Sequence, residues 1–108
     1  MTIISSQHYI NPAIVAAKMD QLTAAGVQAV TIPCSYVGVI DGVEYAMQTD
    51  GHHTLSAARE LGLPVEYDIT DDPEGLTGID LLEARYYDGD YYDVEQSNPY
   101  YDDIVTIW

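Results

Sequence analysis

Thr49-Asp50-Gly51-His52-His53-Thr54-Leu55-Ser56-Ala57-Ala58-Arg59-Glu60-Leu61-Gly62-Leu63-Pro64-Val65 is the stretch that decides the fold. A polar glycine turn opens it, an Ala- and Leu-rich run follows, and Gly62 stands where a helix C-terminus favours glycine. The pattern predicts a helix over His52–Leu61 and, with Pro64 at its start, a strand over Val65–Ile69. Upstream, Tyr36–Ile40 and Val43–Gln48 flank Asp41-Gly42, the pairing that favours a two-residue hairpin turn. Val27–Ile32 reads as a short strand stopped by Pro33. Asn11-Pro12 combines a side-chain cap with proline at the first helical position, and Ile14, Val15, Met19 and Leu22 follow at helical spacing up to Gly26.

Downstream the character changes. Seven acidic residues against two cations leave a net −5 in residues 1–70, whereas eleven against one leave −10 in residues 71–108. Ile79, Leu81, Leu82 and Ala84 predict a short helix capped by Thr77 and ended near Gly89. Acids and tyrosines then interleave from Tyr86 to Asp93. Asn98-Pro99 repeats the cap-plus-proline pair, so Tyr100–Asp103 is expected to open a helical turn and Ile104–Trp108 to dock on the core. The expected fold class is α+β, a mixed sheet with two or three helices packed on it. Residues 1–108 form one domain, with 1–70 as the core and 71–108 as an acidic, Tyr-rich extension docked on it.

Eighteen Asp and Glu stand against three Lys and Arg, a formal charge of −15 on 108 residues. Lys18, Arg59 and Arg85 are too few to neutralise phosphates, which excludes direct binding to nucleic acid or an anionic membrane. No apolar run approaches the roughly 18 residues of a membrane span, and no basic-then-apolar leader opens the chain. The one cysteine, Cys34, cannot form an internal disulfide and is expected to be a buried small residue, so a reducing cytoplasm is the expected compartment. Ten tyrosines and no phenylalanine mean that most aromatic bulk carries a hydroxyl, which suits half-wet surfaces.

The 49–65 stretch resembles the signature of the ParB N-terminal and sulfiredoxin-like superfamily over residues 43–69. There a strand runs into an Asp-Gly-His-His-Arg or Gly-Glu-Arg-Arg turn, then an Ala-rich helix, Gly-hydrophobic-Pro and another strand. The resemblance implies a nucleotide-binding turn at Asp50, Gly51, His52, His53 and Thr54, where amides at a helix start face phosphate. Thr54 stands in place of the family's last Arg, which removes a charge-assisted phosphate contact and makes the site vestigial. His52 replaces the cysteine of the sulfiredoxin variant, so that chemistry is not expected.

No metal or cofactor is expected. His52 and His53 are adjacent, about 100° apart on a helix, and read as structural residues of the turn; His8 is isolated. Asp88-Gly89-Asp90 and Asp102-Asp103 do not fit a calcium-loop pattern.

The excess charge exceeds the magnitude of roughly 2–8 that solubility asks of a small domain. The expected function is therefore an acidic DNA mimic. Duplex DNA carries about one charge per 1.7 Å, a density that carboxylates on a folded face can approximate towards a basic groove. The composition resembles that of phage-encoded anti-restriction and anti-CRISPR inhibitors. The partner would be a basic nucleic-acid-binding protein of the host, such as a Cas effector complex or a restriction enzyme. The expected face comprises Asp71, Asp72, Glu74, Asp80, Glu83, Asp88, Asp90, Asp93, Glu95, Asp102 and Asp103, with Tyr86, Tyr87, Tyr91 and Tyr92 beside them and no catalytic residue. The alternative is a ParB-like nucleotide-binding domain, acting as a switch, kinase or nuclease at the Asp50–Thr54 turn.

Overall fold

The computed structural model describes residues 1–95. Five strands and three helices follow in the order β1 (Thr2–Ser5), α1 (Pro12–Ala24), β2 (Val30–Ile40), β3 (Val43–Gln48), α2 (His52–Leu61), β4 (Val65–Thr70), α3 (Gly78–Ala84) and β5 (Tyr92–Asp93). The strands form one mixed sheet in the order β4-β2-β3-β1-β5. β4 runs parallel to β2, β1 parallel to β3, and the β2–β3 and β1–β5 pairs are antiparallel. This is an α+β fold.

Alternation along the strands builds a core on each sheet face. Ile3, Ile32, Cys34 and Ala46 face α2, where Leu55 and Ala58 close the layer. Ile4, Val37, Tyr45 and Met47 face the other way, towards Leu81 and Leu82 of α3 and the wholly buried Tyr91.

The deciding stretch folds as its residues require. Gly51 opens α2 at φ 78°, and a Cβ there would meet Ile32 Cδ1 at 3.2 Å, so both conformation and space call for glycine. At the other end Gly62 takes φ 70°, and Leu63 N–H donates to Ala58 O at 2.9 Å, closing a Schellman turn. Asp41 and Gly42, both at positive φ, make the expected hairpin between β2 and β3.

Three expectations are corrected. The helix that follows Thr77 ends at Ala84 rather than near Gly89, and Thr77 makes no side-chain capping bond. Val27–Ile32 does not end at Pro33; β2 begins at Val30 and continues through Pro33 to Ile40. Pro33 O accepts from Thr49 N at 3.0 Å, so its missing N–H falls on the β3 side, just beyond the last β3 pair, Cys34–Gln48, while the β4 pairing continues. The stripe on α1 is also looser than its spacing implies. Asn11 Oδ1 caps the helix through Ala13 N at 2.9 Å. However, α1 lies against α2 rather than the sheet, and none of its residues is fully buried. Val15, Met19 and Leu22 are half-buried, and Ile14 is exposed.

The acidic stretch is a layer of the fold as far as Glu95. Its chain crosses the second sheet face as α3, and Tyr91 then fills the core. β5 pairs with β1 through Ile4–Asp93 and Ser5–Tyr92, and Val94 N donates to Ile3 O at 2.9 Å. Tyr100–Asp103 and Ile104–Trp108 lie outside the described residues. No described helix is long and apolar enough to cross a membrane.

Candidate functional site

The carboxylates expected to form a face divide into exposed and structural groups. Asp71, Glu74, Asp80, Glu83, Asp88, Asp90 and Glu95 are exposed, and Asp93 is half-buried. Asp72 is buried and belongs to the fold rather than to a surface. Its Oδ2 accepts from Glu74 N at 3.0 Å and Leu76 N at 3.2 Å, and its Oδ1 receives the Arg85 guanidinium at 2.9 Å. Burial alone would raise this carboxyl. The donors from Leu76, Arg85 and Glu74 outweigh it and hold the group below its ordinary value. Asp102 and Asp103 lie outside the described residues.

The tyrosines divide in the same way. Tyr86 and Tyr87 are exposed, whereas Tyr91 is wholly buried and cannot contribute to a surface. Its hydroxyl donates to Leu82 O at 2.7 Å, and burial pushes its pKa up to about 12. Tyr92 is half-buried and donates to Gln7 O at 2.7 Å.

Two loops clasp each other beside this surface. Ser6 O accepts from Asp88 N and Gly89 N, and Ser6 Oγ accepts from Tyr87 N at 2.9 Å. Asp88 returns the contact, accepting from His8 N at 2.7 Å and Tyr9 N at 3.2 Å. Asp88 is thus exposed and also structural.

Few cations offset the exposed acids. Arg85 is engaged by Asp72 and, at 3.3 Å, by Glu74. Arg59 reaches across to donate to Val94 O. Lys18 stands half-buried on α1. Among the described residues, Glu74 is the one exposed carboxylate in an ion pair.

At the Asp50–Thr54 turn the polar groups are largely engaged within the chain. Gly51 N donates to Asp50 Oδ1 at 2.7 Å, placing a carboxylate where an anion would approach. His53 Nε2 accepts from Asn11 N at 3.1 Å. His52 is buried against Ser5, Nε2 to Oγ at 2.7 Å. Burial pushes its pKa down to about 4, against a smaller upward pull from Asp50, so the ring is neutral at neutral pH. A histidine that weakly basic is a poor general base, and the Ser5–His52 pair acts as a buried hydrogen bond. Thr54 is half-buried in the first turn of α2. Cys34 is buried, and desolvation, with Asp68 nearby, pushes its thiol up to about 11, which makes it a poor nucleophile. No three His, Cys, Asp or Glu side chains converge as a cation site among the described residues.

A cleft of about 130 Å³ opens where the ends of β1 and β3 meet the start of α2. Ser5, Ser6 and Gln7 line one side, Met47, Gln48 and Thr49 another, and His52, Arg85 and Tyr87 complete it. Sequence reasoning missed all but His52 and Tyr87 as site residues. The available signal was weak, namely polar residues directly after the apolar pair Ile3-Ile4 and after Met47.

Compared with known protein families, with curated proteins and with solved structures, the chain matches none, so its function is argued from its own residues.

Proposed function

We propose that this protein is an acidic DNA mimic of phage or mobile-element origin, built on a ParB-like scaffold and acting in the host cytoplasm. It would occupy the basic groove of a nucleic-acid-binding defence complex and block DNA entry. The observation that carries this reading is the unneutralised surface. All acidic residues of 1–95 except Asp72 and Asp93 are exposed, against three cations, of which Arg85 is already paired with Asp72 and Glu74. Such a field steers a Lys- and Arg-lined groove towards the protein, and exposed Tyr86 and Tyr87 supply contact area beside the charge. The nucleotide alternative draws less support, because Asp50 already holds the turn's Gly51 amide and no arginine stands in the turn.

The test is capture from host lysate on the immobilised protein, with wild type beside Asp71→Lys/Glu83→Lys/Asp90→Lys. None of these three carboxylates makes a hydrogen bond or ion pair among the described residues, so their reversal leaves the fold intact. The expected result is a nucleic-acid-binding complex that wild type retains at low salt, that duplex DNA displaces, and that the triple variant fails to hold. Recovery of nothing salt-sensitive, or equal capture by the variant, would overturn the reading.

A further inference from the structure

β4 leaves one side of its backbone unpaired. It is the last strand of the sheet, bonded to β2 alone among the described residues. Val30 N donates to Pro64 O at 3.0 Å, and the parallel register runs without a break from Val30–Val65 to Ser35–Thr70. The alternation of a parallel ladder then turns the N–H and C=O of Glu66, Asp68 and Thr70 towards β2, and those of Val65, Tyr67 and Ile69 outwards. None of these outward groups has a hydrogen-bond partner among the described residues, and no residue of β4 is buried. Such an edge is a template for a further strand.

The side chains decide which strand it accepts. Val65 and Tyr67 lie against the core on the α2 face, and Glu66 and Asp68 alternate to the opposite face, both exposed. Neither acid makes a hydrogen bond or an ion pair among the described residues. A second copy of β4, paired antiparallel about Tyr67, would set Glu66 of one copy against Asp68 of the other. Like charges directly opposite destabilise such a pair, so the edge rejects its own kind. A strand carrying Lys or Arg at alternate positions meets the same two carboxylates favourably, and its intervening apolar residues fall beside Val65, Tyr67 and Ile69.

We infer that the outer edge of β4 docks an extended segment of a partner protein in which cationic and apolar residues alternate, and that this segment adds to the sheet as a strand. The inference goes beyond the mimic reading. Mimicry needs charge alone, whereas strand addition needs the backbone edge, so either can fail while the other stands.

The probe is a capped heptapeptide of alternating Lys and Val, set beside its alternating Glu and Val counterpart. Each is titrated into the 15N-labelled full chain. Before any peptide is added, the amides of Val65, Tyr67 and Ile69 should exchange with solvent faster than those of Glu66, Asp68 and Thr70. The Lys peptide should shift the β4 resonances. At about ten times the Kd of that titration it should slow exchange of the outward amides about tenfold. The Glu peptide should do neither. Glu66→Lys/Asp68→Lys, checked for folding by its melting temperature, should reverse the preference between the peptides. Slow exchange of the outward amides in the free chain would overturn the inference, because another part of the chain or a second copy would already cover the edge. So would a Lys peptide that leaves β4 unshifted, or one that binds without protecting these amides, which is charge attraction alone. An unchanged preference in the charge-reversed variant would overturn it as well.

Discussion

Between pH 6.5 and about 4, His52 takes up a proton in the unfolded chain but not in the folded one. Its contribution to stability is fully present above pH 6.5 and is lost as pH falls towards 4, to a total of about 3 kcal/mol at most. Thermal melts from pH 7 to 4 should show this loss, and His52→Gln should flatten it. Asp72 acts lower on the scale. Its carboxyl is held below 3.8, so its stabilisation is present above that value and disappears only in stronger acid. Asp72→Asn should lower the melting temperature by several degrees more than Glu74→Gln, because Asp72 organises two backbone amides and Arg85 whereas Glu74 meets Arg85 alone. Neither role was legible in the sequence. Asp72 is one of eleven carboxylates in its stretch, and composition cannot say which one turns inward to accept from a loop. The buried Gln48 Oε1, which has no hydrogen-bond partner among the described residues, is just as hidden, since it is a property of three-dimensional packing.

The helices and strands were more readable where punctuation residues sit at their ends. Gly51 and Gly62 bracket α2, and Asp41-Gly42 turns the β2–β3 hairpin, because each position demands positive φ. Pro33 misled for a physical reason: proline ends a strand only when its absent N–H is needed, and here that side of β2 has run past β3. Tyr91 was read as surface because tyrosine tolerates water, yet its ring is the largest wholly buried side chain. Tyr91→Phe should cost about 1 kcal/mol through the lost bond to Leu82 O, and Tyr91→Ala about 3–5 kcal/mol through the cavity it leaves. Tyr87→Ala, at an exposed position, should stay within about 0.5 kcal/mol. Urea unfolding of the three variants separates these outcomes. Together they test whether residues 71–95 are a structural layer or an appendage.

At the scale of the whole molecule, a charge of −15 on 108 residues makes self-repulsion a constant opponent of folding. Screening should relieve it. The melting temperature should rise between a few millimolar salt and ~0.15 M, where the Debye length is about 8 Å. Partner binding should respond in the opposite sense, because attraction between an acidic face and a basic groove weakens as salt screens it. The charge balance behind this proposal was plain in the sequence, whereas the pairing of Arg85 with Asp72 and Glu74 required the fold. The most direct test is the affinity for the captured partner as a function of salt, measured with and without saturating duplex DNA. Mimicry predicts that log affinity falls linearly with log salt and that DNA and this protein exclude each other. A salt-independent affinity, or a ternary complex holding both at once, would contradict it.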